Sequence, residues 1–149
     1  MATEKIVDKF FSRRLFIQVA DVYTGVSEVA FVISQLGSVK EKESLYETDG
    51  PVKRASYVAE IIIYYDKNSR LVVRFDAKGD STLNTLTLDI SGEFQAREVE
   101  TEGIMTKAFH EYYTARVSPF LRKLAEENIS SIWNALEYQM KLRFKYSYA

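Results

Sequence analysis

Three consecutive stretches of the chain alternate apolar and polar residues with a period of two, and this pattern limits the fold more than any other feature. The stretches lie between residues 55 and 94, and the turn-forming clusters DKNS (residues 66–69) and KGDS (residues 78–81) separate them. Alternation of this kind places every second side chain on the same face of a β-strand. The pattern therefore predicts an antiparallel meander with one apolar face.

The predicted apolar face combines alternate residues of all three strands: Tyr57, Ala59, Ile61, Ile63 and Tyr65 from the first, Leu71, Val73 and Phe75 from the second, and Leu86, Leu88 and Ile90 from the third. The opposite face carries charged residues, namely Glu60, Arg74, Asp76 and Asp89. We expect these charges to be solvated and to pair across neighbouring strands.

A one-sided antiparallel sheet buries its apolar face against another layer, and the segment SPFLRKLAEENISSIWNALEYQMKLRF, residues 118–144, has the pattern of a covering helix. Ser118 suits the N-cap and Pro119 the first helical position, which predicts a helix over residues 119–143. Its apolar residues recur at spacings of three and four: Leu121, Ala125, Ile129, Ile132, Leu136 and Met140. Cations near its C-terminal end complement the helix dipole: Lys141, Arg143 and Lys145.

The residues just before this helix repeat the helical spacing. Met105, Phe109 and Tyr112 recur in the segment GIMTKAFHEYYTAR. Because the residue before a proline avoids the helical conformation, Ser118 and Pro119 predict a break between two helical pieces.

The N-terminal region allows two interpretations. Thr3 suits the cap of a helix with Ile6, Val7, Phe10 and Phe11 on one face, but the residues that follow have the composition of a strand. We favour a strand over residues 13–23.

The next segment, VSEVAFVISQLGSV, predicts a short helix. Ser27 suits its N-cap and Gly37 its C-terminal end, with apolar residues at helical spacing between them. Residues 39–47 are rich in charge, which predicts an edge strand, and Asp49-Gly50-Pro51 predicts the turn that follows.

The composition indicates one α+β domain over residues 1–149. The net charge is −1, so no excess of Lys and Arg favours nucleic acid as a partner. Cysteine is absent, which excludes a disulfide framework and thiolate metal sites. No apolar run approaches the ~20 residues of a membrane span, and the first residues lack the apolar core of a secretory signal. We expect a cytoplasmic protein without a membrane span.

The order of these elements resembles the helix-grip fold of the START and Bet v 1 superfamily, which includes polyketide-cyclase-like proteins. Two segments carry the resemblance: GDSTLNTLTLDISGEFQ, a strand of alternating Thr and Leu, and SPFLRKLAEENISSIWNALE, the amphipathic closing helix. The resemblance extends from about residue 55 to the end and consists of pattern and order, without a short diagnostic motif. The first part of the chain departs from it, because one helix stands where the superfamily has two.

The resemblance implies a curved antiparallel sheet wrapped around the long C-terminal helix, with a cavity between them. Superfamily members use such a cavity for sterols, lipids, hormones or polyketides, for cyclase or hydrolase chemistry, or for contact with a partner chaperone. Their catalytic residues differ, so the resemblance implies none here. The residues that would border the cavity are Tyr57, Ile61, Tyr65, Val73, Phe75, Leu88, Phe94, Phe109, Tyr113, Trp133 and Leu136.

Aromatic residues make up 13% of the chain, with ten Tyr, nine Phe and one Trp, and this content agrees with two different interiors. One is a core packed with aromatic rings, and the other is a cavity lined by them. In the second case the polar tips of Tyr57, Tyr65, Tyr113 and Trp133 would orient an apolar ligand.

The sequence gives little support to an enzyme. The phosphate-binding motif GxxxxGK[ST], the dinucleotide motif GxGxxG and the hydrolase motif GxSxG are all absent. His110 is the single histidine and suits a general base beside Glu111 or Tyr113, but adjacent helical residues point away from each other. We predict no catalytic residue, cofactor or metal ion.

Two main classes of function remain. The fold and the aromatic content favour binding or carriage of a hydrophobic small molecule of lipid or polycyclic type. The alternative is an interaction module with a filled core and an exposed apolar patch. A small cyclase-like or hydrolase-like enzyme would need polar side chains that converge inside the cavity.

Overall fold

The computed structural model of the protein describes residues 4–98 and 118–148. The elements, in chain order, are β1 (Glu4–Gln18), α1 (Val22–Ser34), β2 (Val39–Asp49), β3 (Val52–Tyr64), β4 (Ser69–Asp80), β5 (Thr85–Glu98), α2 (Ser118–Arg143) and β6 (Lys145–Tyr148).

The strands form one six-stranded sheet in the order β2-β3-β4-β5-β1-β6, and every neighbouring pair is antiparallel. The sheet curves around α2, so the α+β prediction is confirmed. β3, β4 and β5 form the predicted antiparallel meander, in which Tyr57 lies opposite Ala77 and Ala77 opposite Leu88. This arrangement is compatible with a helix-grip fold.

The apolar face of the meander is buried as predicted. Its buried members are Tyr57, Ala59, Ile61, Leu71, Val73, Phe75, Leu86, Leu88 and Ile90. Two helices share the cover, since α1 packs against β3, β4 and β5 while α2 packs against β4, β5 and β6. The expectation that the C-terminal helix covers this face was therefore incomplete.

The opposite face of the sheet is charged, and its charges pair across strands as predicted. Arg74 Nη1 lies 3.9 Å from Glu60 Oε2, and Lys42 Nζ lies 3.4 Å from Glu60 Oε1. Arg14 Nε donates to Asp89 Oδ1 at 2.6 Å. These pairs mark the charged side of the sheet.

Residues 4–18 form one strand, so the alternative of a helix over Ile6, Val7, Phe10 and Phe11 is wrong, and so is a strand that continues to residue 23. β1 ends at Gln18 because Asp21 begins a helix. The Asp21 side chain accepts a hydrogen bond from the Thr24 backbone N–H at 3.0 Å, which is the contact of an N-cap residue. The strand before it continues to pair with β5, and long-range pairing of this kind decides where β1 begins.

The predicted limits of α1 were also wrong at both ends. Ser27 lies inside the helix and not at its N-cap, because Asp21 occupies that position. The helix ends at Ser34, and Gln35 caps it in the right-handed conformation, so Gly37 is not its stop.

The charged strand at the sheet edge is confirmed. β2 lies at the end of the strand order, and all of its residues except Val39 are exposed. Gly50, in the turn to β3, has a φ of 60°, a conformation that suits glycine.

The C-terminal helix is confirmed over the predicted residues, and Gly92 of β5 allows it to lie close to the sheet. A Cβ atom at Gly92 would overlap Ile129 Cδ1, so any other residue there would force this side chain to shift. Lys141 and Arg143 lie in the last turn as predicted, but Lys145 belongs to β6. β6 itself was not predicted, and the predicted helical piece before Ser118 lies outside the described residues. Within the described residues, no helix is both long and apolar enough to cross a membrane.

Candidate functional site

The C-terminal helix α2 contacts the sheet along two flanks, and they differ in chemistry. The β1 flank joins Arg122, Trp133 and Glu137 of α2 to side chains of β1 and β6. The β3 flank brings Asn128 of α2 to Tyr65, the residue that follows β3. Asn128 and Trp133 are five residues apart, which places them about 140° apart around the helix.

Ion pairs hold the first part of the β1 flank. Arg122 Nε donates to the Asp8 carboxylate of β1, and Arg122 Nη1 donates to Glu126 Oε1 at 2.6 Å. The Arg122 guanidinium also lies 5.5 Å from the ring centroid of Phe10. One guanidinium therefore connects α2 to the strand by charge and by a ring contact.

Aromatic rings hold the remainder of the β1 flank. The Trp133 ring centroid lies 5.8 Å from that of Phe11 and 6.4 Å from that of Tyr148. The Tyr148 hydroxyl donates to the Glu137 carboxylate. This hydrogen bond raises the pKa of Tyr148, with a smaller contribution from the Tyr146 hydroxyl. The short strand β6 thus returns along β1 and fastens the C-terminal half of α2.

The β3 flank depends on Tyr65, which the turn after β3 positions. The Tyr65 backbone N–H donates to Ser69 O at 3.0 Å, and Asn68 N donates to Asp66 Oδ1 at 2.7 Å within the same turn. The Tyr65 ring centroid lies 6.5 Å from that of Phe94 on β5. The turn therefore fixes the backbone from which Tyr65 reaches α2.

The hydroxyl of Tyr65 has a weak partner in an apolar environment. It donates to Asn128 Oδ1 at 3.4 Å, which is long for a bond between two oxygens. Burial raises the pKa of Tyr65 to about 12, because the charged phenolate is poorly solvated there. Both side chains are partly buried, so this pair is a polar group with unused hydrogen-bonding capacity.

Apolar side chains lie on the same side of α2 as Asn128. Leu124 and Ile132 lie four residues before and after Asn128, so they share its side of α2. Both are partly buried against the core, as is Ile63 near the end of β3. Apolar walls with a few convergent polar groups are the usual composition of a small-molecule site. The β3 flank is therefore the candidate site.

Four of the residues predicted to border a cavity have no exposed surface, namely Val73, Phe75, Leu88 and Leu136 at 0% each. A side chain that borders a void large enough for water keeps accessible surface, so these four contact other atoms on every side. Ile61 and Phe94 are nearly as buried. This group forms the packed layer beneath α2.

The remaining predicted residues lie in different places. Tyr57 is buried in the middle of β3, and burial raises the pKa of its hydroxyl. Tyr65 and Trp133 are partly buried on opposite flanks of α2, so they do not face each other. Phe109 and Tyr113 lie outside the described residues, as does His110.

Asn128 is the residue that sequence reasoning missed. The apolar stripe predicted for α2 passes through Ala125, Ile129 and Ile132, and this pattern gives Asn128 no role. A signal was present, since an amide stands between Leu124 and Ile132 at a spacing of four, where an apolar residue would continue the row.

Three clefts on the described surface have other linings. A cleft of about 220 Å³ lies beside the β3–β4 turn, next to Tyr64, Lys67 and Arg70. Arg70 in this cleft already has a hydrogen-bond partner within the protein, because its Nε donates to Gln95 Oε1 at 2.7 Å. Two open clefts of about 310 and 620 Å³ lie beside Leu45 and beside Arg13, respectively. No residue predicted to border the cavity lines any of the three.

The described side chains do not form a recognisable metal site. Among residues 8–96 and 119–148, no group of three or more His, Asp or Glu side chains is placed to hold a metal ion. The polar groups that converge on the β3 flank are a phenol and an amide, which suit hydrogen bonding to a neutral group.

Comparison with known proteins adds little to this description. No family model matches the chain, and no curated protein matches it. The crystal structure of a conserved protein from Geobacillus kaustophilus is similar at 10% identity and a TM-score of 0.27, over 91% of this chain and 99% of that one. The crystal structure of Ara h 8.0201 is similar at 14% identity and a TM-score of 0.17, over 87% of this chain and 99% of that one. TM-scores this low carry no argument, so the fold assignment rests on the topology of the chain itself.

Proposed function

We propose that the protein binds a hydrophobic small molecule on the β3 flank of α2, and that the ligand carries a hydroxyl or carbonyl group. The observation that supports this most is the Tyr65–Asn128 pair. Its hydrogen bond is long, burial raises the pKa of its tyrosine, and the apolar Leu124 and Ile132 lie on the same side of α2 as Asn128. A ligand oxygen or hydroxyl would satisfy this pair better than the two side chains satisfy each other.

The affinity in this proposal comes from apolar contact and the selectivity from the polar pair. Burial of ligand surface contributes about 25 cal/mol per Å². A ligand without a hydrogen-bonding group would leave the hydroxyl and the amide without better partners, which costs about 1–3 kcal/mol. Lipids and polycyclic compounds with one oxygen function fit this requirement.

The predicted cavity residues take different roles in this proposal. Tyr65 borders the ligand, Ile61 and Phe94 belong to the packed layer that supports it, and Phe109 and Tyr113 are proposed to complete the site. Val73, Phe75, Leu88 and Leu136 support it from the packed layer. We infer that residues 1–149 make one domain of the helix-grip type, related to the START and Bet v 1 superfamily.

Native mass spectrometry of the purified protein, followed by extraction and identification of any bound compound, tests the proposal. A long-chain fatty acid, a sterol and a flat polycyclic phenol are then titrated into delipidated protein. We expect Tyr65→Phe and Asn128→Leu each to weaken binding by about three- to tenfold, the value of one hydrogen bond.

Tyr64→Phe is the matched control, because Tyr64 is the neighbouring tyrosine on the opposite face and is 67% exposed. It should bind like the wild type. The proposal fails if no compound binds, or if Tyr64→Phe and Tyr65→Phe weaken binding equally.

The packed layer beneath α2 favours a second candidate, an interaction module with a filled core. This alternative predicts that no ligand co-purifies and that the protein associates through an exposed apolar surface. The same mass spectra distinguish the two, because a module appears as protein alone or as a protein complex.

A further inference from the structure

The cleft beside the β3–β4 turn differs in chemistry from the β3 flank. Its described lining includes the cations Lys67 and Arg70, the amides Asn68 and Gln95, and the ring of Tyr64. No carboxylate is among the described residues that line it. Its volume of about 220 Å³ is below the ~300–1,000 Å³ of a pocket for a drug-sized ligand, so it suits one small polar group.

Hydrogen bonds orient the arginine of this cleft. Tyr64, Arg70 and Gln95 lie opposite one another on β3, β4 and β5, so their side chains share the charged face of the sheet. Arg70 Nε donates to Gln95 Oε1 at 2.7 Å, and Gln95 Nε2 donates to Glu93 Oε2 at 3.1 Å. The guanidinium is therefore held through its Nε, and its terminal N–H groups remain as donors for a ligand.

The second cation stands on a structured turn. Asn68 N donates to Asp66 Oδ1 at 2.7 Å, which fixes the backbone on both sides of Lys67. Within residues 4–98 and 118–148, neither Lys67 nor Arg70 forms an ion pair with a carboxylate. Both cations of the cleft are therefore able to bind an anion.

Two carboxylates near the cleft already accept hydrogen bonds within the protein. Asp66 accepts the Asn68 backbone N–H, and Glu93 accepts the side-chain amide of Gln95. Neither Asp66 nor Glu93 lines the cleft. The charged side chains that line it are therefore both positive, and an anion is the ligand that matches them.

We propose that this cleft binds the phosphate group of a phosphate monoester. Such a group carries about two negative charges near neutral pH, which two cations match. Arginine binds phosphate oxygens through parallel N–H bonds, and lysine binds them as a point charge. The Tyr64 ring, 67% exposed, offers an apolar wall to the organic part of the ester. Tyr64 and Tyr65 point to opposite faces, so this site is separate from the β3 flank.

Titration calorimetry of the full chain at low salt tests this inference with phenyl phosphate, dihexanoyl phosphatidic acid and benzoate. The two phosphate monoesters distinguish a soluble ligand from a lipid headgroup, because the natural class should bind more tightly. Benzoate has one charge on a planar carboxylate and should bind about tenfold more weakly than phenyl phosphate. Affinity for the phosphate should fall as salt rises.

Substitution of each cation locates the site. We expect Arg70→Gln to weaken phosphate binding about tenfold, because it removes charge-assisted hydrogen bonds, and Lys67→Gln about threefold. Arg74→Gln is the matched control, because Arg74 lies on the same face of β4, about 13 Å along the strand, and does not line the cleft. It should bind like the wild type, and circular dichroism should show every variant folded.

The inference is overturned if neither phosphate monoester binds, or if benzoate binds as tightly as phenyl phosphate. It is also overturned if Arg74→Gln weakens binding as much as Arg70→Gln, since the effect would then come from general charge. Tyr65→Phe should leave phosphate binding unchanged, so this site and the β3 flank are tested independently.

Discussion

The two flanks of α2 differ in the strength of their contacts: the β1 flank has ion pairs and ring contacts, and the β3 flank has a polar pair with a long hydrogen bond. On the β1 flank, Arg122 binds carboxylates of two elements, and Trp133 lies between two aromatic rings. On the β3 flank, the Tyr65 hydroxyl donates a long hydrogen bond of 3.4 Å to Asn128 Oδ1. Strong contacts on one side can hold the helix while the other side keeps polar groups for a ligand.

The difference between the flanks also separates stability from binding. Contacts on the β1 flank and in the packed layer should contribute most to the free energy of unfolding. Contacts on the β3 flank should contribute little to it and most to ligand affinity. Substitutions on the β1 flank should therefore change the free energy of unfolding, and substitutions on the β3 flank should change ligand affinity.

Loss of the packed layer should have the largest effect, because both flanks depend on it. Leu136→Ala removes a fully buried side chain of α2 and should destabilise the fold by about 2–5 kcal/mol. Urea unfolding followed by circular dichroism measures this change. An unchanged midpoint would show that α2 does not cover the core.

A methyl group between helix and sheet should have the next largest effect. Gly92→Ala would overlap Ile129 Cδ1 and should cost about 1–3 kcal/mol, because the Ile129 side chain must take a strained position or α2 must move away from β5. Ile129→Val in the same chain shortens the opposing side chain and should recover part of the loss. If the double variant is no better than the sum of the two single variants, the close approach is not the cause.

The ion pairs of the β1 flank should contribute less. Arg122→Met keeps the apolar stem but removes the bonds to Asp8 and Glu126, which are partly exposed. We expect a loss of about 0.2–1 kcal/mol that shrinks at high salt. Ligand affinity should stay the same, and a large fall in affinity would contradict the separation of the flanks.

The hydroxyl of the β3 flank should have the smallest effect on stability, below about 1 kcal/mol for Tyr65→Phe. The pH at which the Tyr65 hydroxyl ionises is a more sensitive measure of its environment. The folded pKa of about 12 lies above the ordinary value, so burial of Tyr65 stabilises the fold fully below pH 10, and this contribution is lost as pH rises toward 12. Absorbance at alkaline pH, wild type minus Tyr65→Phe, should show this tyrosine ionising near pH 12. Ionisation near pH 10 would mean that the hydroxyl is solvated.

Much of the fold was predictable because its signals are periodic and local. The alternation along β3, β4 and β5 placed Tyr65 on the apolar face, and the spacing in residues 119–143 predicted α2. The start of α1 was misjudged because two capping residues compete, and Asp21 forms the cap rather than Ser27. Local sequence cannot rank two such candidates when packing decides between them.

The rest depends on contacts between distant residues. β6 has only four residues, and it is a strand because β1 offers a free edge after α2 returns to it. Asn128 gains its importance from Tyr65, which lies far away in sequence. Covering of the sheet by both helices likewise follows from the path of the chain after β1, which periodicity does not specify.

A single nuclear magnetic resonance experiment compares the two flanks directly. In a ¹H–¹⁵N spectrum, the side-chain amide of Asn128 reports on the β3 flank, and the indole N–H of Trp133 reports on the β1 flank. The compound identified by mass spectrometry is titrated into the protein, with Asn128→Leu used to assign the amide signal. We expect a saturable shift of the Asn128 amide and little change at Trp133. A saturable shift of Trp133 with no change at Asn128 would place the ligand on the wrong side of α2 and contradict the proposed site.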